Sequence, residues 1–265
     1  MNKYFSDVRP SLAAAGCMLL VLTAAGCHGS KPRLPPDPAL ADQFLMERGR
    51  EALAKKRWTE SREFFRQIVD NYSASPLRPA AKLALADSYL GEASTESLLL
   101  AATEYREYMT FYPTDPKNDY AQYNLAMTYF KQMKRPDRDQ TATKEALAEF
   151  DAFFQRFPNS PLTTQVREKW RIARDRLSDS ELAVARTYAR IGVLRGAEVR
   201  LQGILKDDPN FTNRDAVYFE LAEIYLRADN TKARALPFYQ RLIDEFKTSE
   251  YLEKAQKRLK ELTAK

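Results

Sequence analysis

A fivefold repeat of small and aromatic residues constrains the fold of this chain more than any other feature. Each repeat carries a small residue, an aromatic residue three positions later, then another small residue and a large apolar residue four positions beyond it. Repeats two to five place them at Ala86, Tyr89, Ala101 and Tyr105; Ala126, Tyr129, Ala146 and Phe150; Ala185, Tyr188, Ala197 and Leu201; and Ala222, Tyr225, Ala235 and Tyr239. The first repeat is the loosest, with Gly49, Ala52, Ser61 and Phe65. Steps of three and four residues share one helix face, so the pattern predicts stacked helix pairs.

The spacing of the repeats indicates where extra chain is inserted. From Phe65 the large apolar residues follow at intervals of 40, 45, 51 and 38 residues, against about 34 in the standard repeat of this kind. A charged loop at residues 134–139 accounts for part of the excess. An amphipathic stretch between Pro158 and Tyr188 accounts for more, and we expect one long or lightly kinked helix there, linking two halves.

The repeat resembles the tetratricopeptide pattern, in which a proline commonly ends each helix pair. Pro113, Pro158 and Pro209 occupy that exit, and Lys247 replaces it in the fifth repeat. We predict an all-α, right-handed α-solenoid of about five tetratricopeptide-like helix pairs with a C-terminal capping helix. Pairs 1–3 form the N-terminal repeats at residues 39–160. The long linking helix, pairs 4–5 and the cap form the C-terminal repeats at residues 161–265.

The start of the chain reads as a secretory signal ending at a modified cysteine. Positive residues precede a 14-residue apolar run at residues 12–25, which is too short for an ordinary membrane span. The sequence Ala24-Ala25-Gly26-Cys27 resembles a bacterial lipobox, which implies acylation of Cys27. Cys17 also follows Ala-Ala-Gly but lacks a preceding apolar run. We therefore expect a lipoprotein signal peptide at residues 1–26 and attachment to the membrane through lipid on Cys27.

Residues 27–38 are expected to form the lipidated cysteine and an extended tether, because four prolines in this stretch exclude a helix. Removal of residues 1–26 lowers the formal net charge from +6 to +5, and one cysteine remains, so no intramolecular disulfide can form. In lipoproteins of this class Asp after the cysteine tends to mark inner-membrane retention. His28 stands there instead, which favours the periplasmic face of the outer membrane. That destination, and the lack of a long basic run, argue against nucleic acid as a partner.

The arrangement resembles the BamD family, lipoproteins of the outer-membrane β-barrel assembly machinery. Four segments have sequences similar to those of the family and follow one another in the same order, at residues 118–123, 157–160, 181–185 and 212–216. The resemblance implies a scaffold without catalysis that receives unfolded barrel precursors on its N-terminal repeats and docks a BamA-like barrel-forming subunit on its C-terminal repeats. By the same resemblance, Arg200 matches a docking arginine and Tyr72 a tyrosine near the precursor site.

Catalytic alternatives find little support in the residues. His28 is the only histidine and lies on the expected tether, so triads and histidine-based zinc sites fail. Glu145, Glu149 and Asp151 are expected on a solvated helix face, and Asp137 and Asp139 in a surface loop, so we expect no metal and no cofactor. An adaptor for pilus secretion or cell-wall machinery remains an alternative, and so does a cell-wall enzyme on a repeat scaffold, although no catalytic module is left over.

The roles of Trp58 and of one basic stretch are not decided by the sequence alone. Trp58 opens the second helix of the first pair, where it either lines the concave face or packs beneath the tether. A basic stretch at residues 167–176 is either a solvated stripe or a site for an acidic partner.

Overall fold

The computed structural model describes residues 40–229 and 231–264. In these ranges the chain forms eleven α-helices and no strand. The helices are α1 (Ala41–Ala54), α2 (Trp58–Asn71), α3 (Arg78–Glu92), α4 (Thr95–Phe111), α5 (Asn118–Phe130), α6 (Thr141–Arg156), α7 (Thr163–Arg190), α8 (Leu194–Asp207), α9 (Arg214–Asp229), α10 (Lys232–Glu245) and α11 (Leu252–Thr263). The five pairs run from α1–α2 to α9–α10, and α11 closes the array.

Each helix packs against the next one along the chain, as expected for antiparallel neighbours joined by short loops. The first helices of successive pairs also contact each other, from α1 with α3 to α7 with α9. No comparable contact joins the second helices within the described ranges. The first helices therefore form the inner layer of a curved stack. The predicted all-α solenoid of five helix pairs with a C-terminal cap is confirmed.

The repeat residues occupy the centre of the stack. The small residues at the crossings of pairs two to five are at most 1% exposed. The same holds for the large apolar residues that lie four positions after the second small residue of each repeat. The latter are Phe65, Tyr105, Phe150, Leu201 and Tyr239. An alanine at a crossing lets two helix backbones approach closely, and the large side chain fills the space beside it.

The first pair uses glycine and serine where the other pairs use alanine. A Cβ atom on Gly49 would lie 2.4 Å from the Phe65 ring, so only glycine fits at this crossing. Ser61 is buried and its hydroxyl lies 2.7 Å from that of Ser88 on α3, which ties the first pair to the second. Trp58 packs against the end of α3, where a Cβ on Gly91 would lie 2.7 Å from the indole. Trp58 thus has a packing role.

A polar tie recurs at the position after the large apolar residue. Arg106 donates to the Tyr129 hydroxyl at 2.7 Å, and Gln202 donates to the Tyr225 hydroxyl at 2.8 Å. In the first repeat the corresponding bond joins Arg66 and Tyr89. Each bond links the second helix of one pair to the first helix of the next pair. The aromatic residue of the repeat therefore contributes both apolar packing and a hydroxyl acceptor to the pair interface.

The loops that follow the second helix of each pair share one backbone conformation. In all five, the carbonyl of the residue after the helix accepts a hydrogen bond from the N–H three residues later, at 3.0–3.2 Å. These residues are Tyr72, Tyr112, Phe157, Asp208 and Phe246. The turn forms even where Ser73 or Lys247 stands in place of proline, since neither position needs the fixed φ of proline to close the bond.

Helix α7 is twice the usual length. Its 28 residues extend over about 42 Å at 1.5 Å per residue. Near its middle, Arg176 donates to the Lys134 carbonyl at 2.5 Å, so the first half lies along α6. The second half pairs with α8, which ends beside the middle of α7 at Asp208. The expected linking helix is continuous and also serves as the first helix of the fourth pair.

The two helical glycines Gly49 and Gly203 provide a matched test of crossing geometry. We expect Gly49→Ala to lower the free energy of unfolding, because overpacking costs about 1–3 kcal/mol and exceeds a helix-propensity gain of about 1 kcal/mol. A Cβ on Gly203 would meet nothing within 4 Å, so Gly203→Ala is expected to raise stability by up to about 1 kcal/mol. Urea unfolding followed by circular dichroism checks both, and a Gly49→Ala protein as stable as the parent would contradict the crossing argument.

Candidate docking groove

A groove of about 470 Å³ lies between the start of α6, the middle of α7 and α8. Leu177, Val199 and Ile204 supply its apolar surface, and the space above Gly203 is open. Val199 is 56% exposed although it is a large apolar residue. We name this site, with the charged residues described next, the α7–α8 groove. Its partly exposed apolar surface is of the kind that binds another chain.

Both signs of charge line the rim of the α7–α8 groove. Lys144, Arg174 and Arg200 are the cations, and Glu181 and Asp207 are the carboxylates. Arg200 Nη1 lies 2.7 Å from Glu181 Oε2, with both side chains well exposed. This hydrogen bond and the charge of Glu181 raise the pKa of Arg200. A surface ion pair of this kind contributes about 0–1 kcal/mol, so Arg200 can exchange Glu181 for a partner's carboxylate at little cost.

A buried ion pair holds the wall of the groove in place. Asp208 is 3% exposed and accepts two hydrogen bonds from Arg171, at 2.9 and 2.5 Å, and one from Ser178 at 2.7 Å. Burial raises the pKa of Asp208, but the hydrogen bonds from Arg171 and Ser178 and the nearby arginine charges outweigh it, so the net pKa is lowered. This Asp208 clamp fixes the end of α8 on the middle of α7.

The sequence analysis did not predict the Asp208 clamp. Asp208 stands where the other four loops carry Tyr72, Tyr112, Phe157 or Phe246, so the departure from the repeat was visible. Its partner Arg171 lies 37 residues earlier, and nothing in the local pattern joins the two. A buried carboxylate in place of a buried ring is the signal that could have prompted a search for a basic partner on α7.

Tyr72 lies far along the stack from Arg200. It follows α2 and is half-buried against the N-terminal core cluster, which also contains Phe65 and Tyr105. Arg200 belongs to α8 and the C-terminal part of the array. The structure therefore does not bring these two sequence candidates together, and any roles they have belong to separate surfaces. Cys27, the third candidate, lies outside the described residues.

The basic stretch at residues 167–176 is largely engaged within the molecule. Arg171 binds Asp208, Arg176 binds the Lys134 carbonyl, and Arg174 Nη2 donates to the Asp207 carbonyl at 2.6 Å. Three of the five basic residues in the stretch are therefore bound within the molecule and do not form a free solvated stripe. Its arginines attach α7 to the loops at its middle.

Three of the carboxylates considered for chemistry have structural partners. Glu149 accepts from Arg106 at 2.9 Å, and Asp151 accepts from the Trp170 indole at 2.8 Å. Asp139 accepts from the hydroxyl and the backbone N–H of Thr141 at the start of α6. Across residues 40–229 and 231–264, no group of three or more His, Cys, Asp or Glu side chains has a geometry suited to a metal ion. Within the same ranges, no helix combines the length and apolar character needed to span a bilayer.

Comparison with known proteins places this architecture in a class. A family model described as outer membrane lipoprotein (YfiO) matches residues 38–232. A tetratricopeptide-repeat model matches residues 216–249, which contain α9 and α10. The matches and the fold define a tetratricopeptide-repeat protein of the outer membrane lipoprotein class.

Relatives with similar sequences carry one common name, outer membrane protein assembly factor BamD. The relative from Caulobacter vibrioides is 28% identical over 221 residues, covering 82% of this chain and 70% of its own. The Vibrio cholerae relative is 26% identical, covering 70% of this chain and 78% of its own. The Neisseria meningitidis serogroup B relative is 23% identical, covering 82% and 84%. The chain belongs to the BamD family.

Removal of Arg171 tests the Asp208 clamp. We expect Arg171→Ala to lower the free energy of unfolding by about 3 kcal/mol, because it removes both hydrogen bonds of the closest cation to a buried carboxylate and leaves only Arg174, whose Nε lies 3.8 Å away. Arg176→Ala is the control, since Arg176 donates its hydrogen bond to a backbone carbonyl and not to the buried Asp208. Because the pKa of Asp208 is lowered in the folded state, its ionised form stabilises the fold at pH values above the unfolded pKa of about 3.9. This stabilisation is lost as the pH falls through the pKa of the folded state.

The difference between parent and Arg171→Ala is therefore expected to be largest near neutral pH and to narrow in acid. Urea titrations at a series of pH values measure it. An equal loss of stability from both arginine variants, or a difference that does not change with pH, would contradict the clamp.

Proposed function

We propose that this protein is a non-catalytic scaffold of the outer-membrane β-barrel assembly machinery, held at the periplasmic face of the membrane by lipid on Cys27. The observation that carries the proposal is the family match over residues 38–232, together with relatives named as assembly factors. The paired-helix stack supports it, because such arrays act by presenting extended surfaces to other chains.

The α7–α8 groove is the proposed docking site for the barrel-forming subunit. An apolar side chain of the partner would lie over Val199 and Gly203, and a carboxylate would pair with Arg200. The groove is open and only partly apolar, which suits a partner segment carrying both kinds of group. The Asp208 clamp supports this role, since a fixed wall lowers the ordering cost of binding.

The N-terminal repeats are the proposed site for unfolded barrel precursors, with Tyr72 at its border. The first helices of pairs one to three form the inner layer of the stack. An extended segment lying along that layer would be held by backbone and apolar contacts, so many precursor sequences could be accepted. Tyr72 packs on the same core cluster as those helices, and its part in precursor binding is proposed on the family resemblance.

Charge reversal tests the docking site. We expect Arg200→Glu to reduce recovery of the barrel-forming subunit from solubilised outer membranes about tenfold or more, the range found when one partner of a charged interface pair is removed. The control is Arg258→Glu on α11. Arg258 also pairs with a glutamate, Glu223, at 3.0 Å and is 46% exposed, compared with 45% for Arg200. Arg258 also lies 3.5 Å from Glu261, so the control variant loses at least as much surface ion pairing as Arg200→Glu. Both variants should keep the helical content of the parent.

Gly203→Leu provides a steric version of the same test. A Cβ at this position meets nothing within 4 Å, and the rest of the leucine side chain would extend into the open part of the groove, so recovery should fall while stability does not. Unchanged recovery with both Arg200→Glu and Gly203→Leu would remove the groove from the proposal. Recovery of a pilus secretin or of peptidoglycan enzymes, in place of a barrel subunit, would favour the alternative adaptor function.

Cysteine replacement tests the anchor. We expect Cys27→Ser to abolish incorporation of labelled palmitate and to release the protein from the membrane fraction, because a body without acyl chains lacks the apolar anchor. Cys17→Ser is the matched control and should keep both label and membrane association. Acyl label retained in Cys27→Ser and lost in Cys17→Ser would move the anchor to the other cysteine.

A further inference from the structure

The turn between α7 and α8 exposes two aliphatic side chains. Ile191 is 65% exposed and Val193 is 48% exposed. Gly192 between them has φ +84°, and a Cβ there would meet nothing within 4 Å. We name residues 190–195 the α7–α8 tip. Its apolar side chains stand on a convex turn that leaves them open to solvent, unlike those of the α7–α8 groove.

The α7–α8 tip projects beyond the third pair. Arg176 contacts the loop that joins α5 and α6, through the Lys134 carbonyl. Helix α7 continues from Arg176 to Arg190, and Ile191 follows fifteen residues after Arg176. At 1.5 Å per residue this distance is about 22 Å along the helix axis. The C-terminal end of α9 lies beside the C-terminal end of α7, because Arg227 Nη2 donates to the Ala189 carbonyl at 3.0 Å.

The segments that adjoin the apolar pair carry a net positive charge. The segments at residues 190–198 and 227–234 contain five basic residues and two acidic residues, a net charge of +3. The basic residues are Arg190, Arg195, Arg227, Lys232 and Arg234; the acidic residues are Glu198 and Asp229. Arg227 and Arg234 are engaged within the molecule, with the Ala189 carbonyl and with Glu198, whereas Arg190, Arg195 and Lys232 are exposed. Arg195 is 79% exposed at its side chain although it pairs with Glu198. Basic side chains beside exposed aliphatic ones are complementary to a surface that is anionic outside and apolar inside, such as a phospholipid bilayer.

We infer that the α7–α8 tip docks on an anionic phospholipid surface, with Ile191 and Val193 entering below the headgroups and the exposed cations Arg190, Arg195 and Lys232 facing the phosphates. The family description places the chain at a lipid surface. A convex turn with two exposed aliphatic residues presents far less than the roughly 800 Å² per partner of a specific protein interface. A bilayer deforms around such a point, so the tip fits lipid better than a folded protein.

Tryptophan at the tip reports this contact directly. The full chain carrying Ile191→Trp would be reconstituted with vesicles of phosphatidylethanolamine and phosphatidylglycerol whose acyl chains carry bromine. The unsubstituted chain gives the background of Trp58 and Trp170. Phe111→Trp is the matched control, because Phe111 is also 65% exposed but ends α4, at a connection between pairs.

We expect the emission of Ile191→Trp to shift to the blue and to be quenched, and that of Phe111→Trp to stay unchanged. Replacing phosphatidylglycerol with phosphatidylcholine should weaken the quenching at the tip, because the electrostatic part of the attraction is lost. Equal quenching at the two positions, or none at either, would overturn the inference. A shift at Ile191→Trp that appears only after the barrel-forming subunit is added would also overturn it, in favour of protein docking.

Discussion

The stack depends on the close approach of two helices at each small-residue crossing. Ala101 and Ala146 are fully buried at their crossings, and so is the large residue four positions after each of them, so the crossings are closely packed. Gly49 carries this constraint furthest, since even a methyl group would meet the Phe65 ring. Because every crossing repeats the same geometry, each pair presents a similar face to the next one, and the array continues without strands or disulfides in the described ranges.

The crossings are also why so much of the fold could be predicted from sequence. Ala86 and Tyr89, or Ala222 and Tyr225, follow a local rule that a single helix pair imposes, so five pairs and the long α7 could be recognised residue by residue. The capping helix could be placed from its amphipathic pattern. The candidate site could not be derived in the same way. Arg200 was singled out by resemblance, whereas the apolar surface around Val199 and Gly203 exists only after α6, α7 and α8 have packed together.

Long-range polar partners account for the rest of what sequence could not supply. Arg171 meets Asp208, and Arg176 meets Lys134, across 37 and 42 residues. Several basic residues in one stretch look alike in the sequence, yet one is buried in a clamp and another holds a loop carbonyl. Their roles follow from where α7 runs relative to its neighbours, and that placement depends on a helix twice the usual length.

The length of α7 separates two tasks that a uniform stack would combine. Its first half continues the N-terminal array, and its second half carries α8 about 20 Å further along the helix axis. The clamp at Asp208 fixes this offset, because a buried carboxylate held by Arg171 and Ser178 tolerates little sliding between α7 and α8. The α7–α8 groove lies beside the fixed point and the α7–α8 tip at the free end. A rigid wall is therefore available for binding a protein segment, and a projecting end for meeting a surface, on one continuous helix.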